Sequence, residues 1–141
     1  MRYVIALLAV YVLDVPMREA LAAWRARRMA RTSGKPLLNV GSGTSTSSAT
    51  GEKLRGNVNC DIAASRDVKC TSGVVCYCDV GNLFQFANKQ FGVVLAANVL
   101  RYVSDRTKAE AELHRVADHV IIADNVIAWP QLGPGRKFPT N

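Results

Sequence analysis

Two patterns of apolar residues divide this chain. Residues 3–13 (YVIALLAVYVL) are apolar without a break and are closed by Asp14 and Pro16. Residues 17–31 (MREALAAWRARRMAR) are rich in helix formers and bring Leu21, Trp24 and Arg28 together, with Arg25, Arg27 and Arg31 close by. Because proline suits the first turn of a helix, the stretch after Pro16 is predicted helical, and residues 1–35 as a whole read as an apolar then basic helical segment. From Pro36 onward, short apolar or β-branched runs alternate with polar, helix-compatible stretches, the signature of an α/β domain with a parallel sheet. Strands are predicted at 36–40, 57–62, 74–80, 91–99 and 119–127. Helices are predicted near 46–55, 82–89 and 105–118; in the last, Ser104 or Asp105 can cap, and Ala109, Leu113 and Val116 recur at helical spacing. Residues 128–141 are Pro/Gly-rich and read as a tail.

The expected organisation is therefore an apolar then basic extension (1–35), an α/β domain (36–127) and a tail (128–141). Charge sharpens that division. Residues 1–35 hold seven Lys/Arg against Asp14 and Glu19, a balance of +5, whereas residues 36–141 hold eleven against nine, a balance of +2. The basicity belongs to the extension, so a nucleic-acid partner for the whole domain is not indicated. As a helix, the apolar run is about 16 Å long, roughly half a bilayer's hydrocarbon thickness. Ala20, Leu21 and Ala22 could pass for a cleavage site, but Arg18 and Glu19 crowd it. Two readings of residues 1–35 stand side by side: an anchor on an anionic membrane surface, or a helix packed on its own domain or on a protein partner.

Cys60, Cys70, Cys76 and Cys78 include no CxxC pair, and His114 and His119 are distant in sequence, so no metal site is expected. The cysteines read as buried reduced thiols, which implies an intracellular, reducing compartment.

Candidate chemistry gathers where the predicted strands end. The first strand runs into GSGTS, where Gly41 and Gly43 let the backbone turn tightly and approach a ligand. Thr46 breaks a strict GxGxxG, and no GxxxxGK[ST] loop exists. Asp61 ends the second predicted strand twenty residues after Gly41, a spacing suited to ribose hydroxyls, and Asp79 ends the third. Each aspartate could equally be a turn residue or a helix cap.

The segments LLNVGSGTS, GNVNCDI, CDVGNLF, FGVVLAANVLRYVSD and AELHRVADHVIIADN, in this order, resemble the class I S-adenosylmethionine-dependent methyltransferases over residues 36 to about 125. The resemblance implies a Rossmann-like parallel sheet with S-adenosylmethionine as cofactor and a methyl acceptor left unnamed. Carried over by position, Asn39, Gly41, Ser42 and Gly43 form the loop beside the methionine part. Asp61 and Ile62 meet the ribose, Asp79 and Val80 flank the adenine, and Asn98 and Tyr102 border the acceptor side. The chain departs from the family pattern at Asn39 (usually acidic), Ser45 (usually glycine), Gly92 (usually aspartate) and Leu100-Arg101-Tyr102. The family's closing antiparallel strands are not expected, which leaves the fifth strand an edge to be covered by an oligomer or an assembly. A non-catalytic binding or structural module of the same fold is the alternative, and an NAD-type binder is permitted by the Gly41–Asp61 spacing.

Overall fold

The computed structural model describes residues 2–42 and 55–124, with side chains from Met17 onward in the first helix. These form α1 (Arg2–Ser33), β1 (Leu37–Val40), β2 (Val58–Asp61), β3 (Val75–Tyr77), β4 (Phe91–Ala97), α2 (Arg106–Val116) and β5 (Ala117–Ala123), with a 3₁₀ turn at Leu100–Tyr102. All five strands are parallel, in the order β3-β2-β1-β4-β5. The fold is Rossmann-like α/β, with one helix on each face of the sheet.

The strand residues explain that layering. β1 and the body of β4 are apolar on both faces because both faces are covered, and alternate side chains part company at each step. Leu37, Val93 and Leu95 pack with Ala22, Ala23, Ala26 and Ala30 of α1, while Leu38, Val40, Val94 and Ala96 share a core with Ala109, Leu113 and Val116 of α2. The alanine stripe lets α1 lie close to the sheet. Gly92 allows the same closeness at the end of α1, because a Cβ there would collide with Ser33 Oγ. The glycine in the family's aspartate position thus has a packing reason. The outer face of α1 leaves Met17, Leu21 and Trp24 exposed, with the Arg28 guanidinium 5.5 Å from the Trp24 ring.

Several expectations need correction. The N-terminal helical segment is a single helix that runs from Arg2 through Pro16, a proline that interrupts only one turn, whereas other elements differ from expectation. Residues 82–89 are turns rather than a helix. β5 follows α2 without a loop, starting two residues earlier than expected. The expected helix at 46–55 largely precedes the described segment that opens at Arg55, and the tail at 128–141 lies outside the described residues. Among the described residues β5 pairs only with β4 and so forms one edge of the sheet.

The cysteines require the largest revision. Cys60 is bonded to Cys78 and Cys70 to Cys76, with no free thiol remaining. Disulfides persist in oxidising surroundings and are rare in the cytosol, so the reading of an intracellular, reducing compartment is overturned in favour of an oxidising one. Among the described residues, no helix is long and apolar enough to cross a membrane.

Candidate functional site

β1 leads to β2 on one side and β4 leads to β5 on the other, so the chain reverses its direction of winding between the carboxyl ends of β1 and β4. Ligands of open α/β sheets bind in the crevice such a reversal leaves. A cavity of about 210 Å³ lies there, lined by Gly41, Asp61, Ile62, Asp79, Val80, Asn98, Val99, Tyr102, Val103 and Cys78. Backbone geometry shapes its entrance. Gly41 has φ +67°, and a Cβ at that position would meet the Val99 side chain, so the first loop closes on the residues after β4 only because Gly41 lacks one.

Each carboxylate is fixed by its own turn. Asp61 Oδ1 accepts the amide of Ala63 at 2.9 Å, and Asp79 Oδ1 accepts the amide of Gly81 at 2.8 Å. These turns aim both side chains at the cavity from neighbouring strands. The Cys60–Cys78 disulfide joins the residues immediately before them, fastening the two strand ends together covalently.

The segment after Asp79 is held from α2. Glu112 accepts the amide of Leu83 at 2.7 Å, and Arg115 donates to the carbonyls of Leu83 and Phe86 at 2.9 Å each. Glu112 and Arg115 are themselves paired at 2.7 Å. Residues 82–89 remain turns, and the Leu83 carbonyl accepts both from Arg115 and from the Phe86 amide at 3.0 Å. The Arg115 guanidinium holds the Glu112 carboxyl below its ordinary range against the opposing effect of burial.

Asn98 stands apart by its conformation. It adopts φ +56° at the end of β4, a left-handed geometry that asparagine tolerates better than most residues and that recurs at functional sites. Its Nδ2 donates to Glu19 Oε1, while Glu19 Oε2 pairs with Arg55 at 3.1 Å. An α1 carboxylate therefore reaches the rim of the cavity. Tyr102 lies in the 3₁₀ turn, with the Arg101 guanidinium 5.4 Å from its ring.

Of the residues suggested by the sequence, Gly41, Asp61, Ile62, Asp79, Val80, Asn98 and Tyr102 share this cavity. Asn39 does not line it. It is buried and donates from Nδ2 to Asn59 Oδ1, and Asn59 in turn bonds both backbone groups of Gly56. Ser42 is tied to the Cys60 carbonyl through its amide at 3.2 Å, and Gly43 lies outside the described residues. The sequence reading missed Cys78 and Glu19. An even number of cysteines crowded into residues 60–78 was the available signal for the first. Nothing local could reveal the second, since Glu19 and Asn98 are 79 residues apart.

The described residues contain no cluster of His, Cys, Asp and Glu suited to a metal ion. The chain matches no family model, no curated protein and no solved structure.

Proposed function

We propose that the cavity binds S-adenosylmethionine and that the protein transfers its methyl group to an acceptor entering past Asn98 and Tyr102. The supporting observation is the convergence of the Gly41 backbone, two carboxylates and apolar walls at the point where the winding reverses. The donor set fits a nucleoside: Asp61 accepts from ribose hydroxyls, while Ile62, Val80 and Val103 cover an aromatic base. At about 210 Å³ the cavity falls below the roughly 300–1,000 Å³ of most small-molecule sites, which suits a nucleoside portion better than the two nucleotides of NAD.

Held by Gly41, Asp61, Ile62, Asp79 and Val80, the cofactor would supply a sulfonium methyl group for transfer to a nucleophilic acceptor. The chain's part is positioning and exclusion of water. Asn98, held by Glu19, fixes the rim on the acceptor side, and the tethered strand ends hold Asp61 and Asp79 at a set spacing. In an oxidising compartment the cofactor has to be delivered to the protein, a requirement this reading carries with it.

The exposed Met17, Leu21 and Trp24 on α1 favour a second reading, a non-catalytic module that keeps the fold and meets a protein partner through them. Calorimetric titration of the oxidised protein with S-adenosylmethionine, S-adenosylhomocysteine and NAD tests the primary reading. Binding of the first two alone is expected, weakened at least about ten-fold in Asp61→Ala, with the fold retained because Asp61 stands at a strand end outside the hydrophobic core. No binding of either sulfur compound overturns it. Binding with no consumption of the methyl donor selects the module.

A further inference from the structure

At the opposite edge of the sheet, by the amino ends of the strands, lies a second cavity of about 590 Å³. It is enclosed by the last turns of α1, the Gly34 turn into β1, residues 55–57 ahead of β2, and Ser72 ahead of β3. Arg27, Arg31, Lys35 and Arg55 line it, and among the described residues no carboxylate does. Two of these cations are balanced from outside the cavity: Lys35 by Asp118 at 2.8 Å and Arg55 by Glu19 at 3.1 Å. Arg27 donates from Nε to the Arg55 carbonyl at 3.2 Å, and among the described residues neither Arg27 nor Arg31 forms an ion pair. Positive charge is thus gathered in a concavity without a counter-charge inside it, an arrangement that raises the local concentration of anions.

We infer that this cavity is a binding site for a small molecule bearing phosphoryl or sulfate groups. Guanidinium groups match such oxyanions with paired, charge-assisted hydrogen bonds. Asn57 adds polarity at the wall, its Oδ1 already accepting the Leu37 amide at 2.8 Å. The volume lies within the range of ordinary ligand sites and exceeds what a single oxyanion needs, so the ligand carries more than one such group or an attached organic portion. The site shares no lining residue with the cavity at the carboxyl edge, and Glu19 touches one lining residue of each, Asn98 and Arg55.

The test is calorimetric titration of the oxidised full chain with inorganic pyrophosphate and, in parallel, with inorganic sulfate, at constant ionic strength. Pyrophosphate is expected to bind, with affinity reduced about ten-fold or more in Arg31→Ala. Arg31 is exposed, so this variant is expected to fold, as its unfolding curve would confirm. Arg25→Ala removes the same charge from an exposed position on the same helix that does not line the cavity, and is expected to leave affinity unchanged. Tighter binding of pyrophosphate assigns the site to phosphoryl groups, and tighter binding of sulfate assigns it to sulfate. Absence of binding by either anion at millimolar concentration, or an equal loss in both variants, overturns the proposal.

Discussion

Glu112 ties α2 to the turn segment after Asp79, accepting from the Leu83 amide and from Arg115 while Arg115 holds the carbonyls of Leu83 and Phe86. Its folded pKa lies below the ordinary glutamate value of 4.5, chiefly because of the Arg115 hydrogen bond. Its contribution to stability is therefore complete above that ordinary value and disappears as the pH falls through the depressed folded one. Glu112→Gln is expected to cost about 1 kcal/mol near neutrality. The difference from the parent protein should shrink at pH 3, a comparison that urea unfolding without reductant provides. At this scale the gathering of Gly41, Asp61 and Asp79 around one cavity at the strand ends was readable from the sequence. It was not readable for Asn39, whose partner Asn59 is twenty residues away and becomes its neighbour only through the β1–β2 register. The cysteines were misread because side chains buried on one strand face look alike whether reduced or bonded across strands.

Among the elements, α1 depends most on close fit. Ala26 is fully buried against the sheet. Ala26→Leu keeps a good helix former but inserts volume where helix and strands touch, and is expected to destabilise the protein by about 1–3 kcal/mol. Ala20→Leu, on an exposed position of the same helix, is expected to change stability by no more than about 0.5 kcal/mol, and chemical denaturation of the pair separates packing from propensity. Strands β1 and β4 were legible because buried parallel strands appear as short continuous apolar runs. Residues 82–89 misled because Leu83 and Phe86 are buried at helical spacing in a segment of turns.

For the molecule as a whole, the two disulfides point to an oxidising compartment and contribute to stability. Alkylation of the purified protein is expected to label no cysteine before reduction and all four afterwards, read by intact mass. Reduction is expected to lower unfolding free energy by about 2–4 kcal/mol for each bridge; any labelling before reduction would return the chain to the reducing compartment first expected. The parallel topology was legible from alternating patterns, whereas the covalent links between its strands were not. The contact of α1 with β4 and β5 has a consequence for how the protein is made. The helix synthesised first buries its alanine stripe on strands synthesised much later, and Ala26 precedes Val93 by 67 residues. At about 5–20 residues per second, that interval lasts roughly 3 to 13 seconds. During it the alanine stripe has only Leu37 of β1 to pack on, so the interface that holds α1 to the sheet is completed late in synthesis.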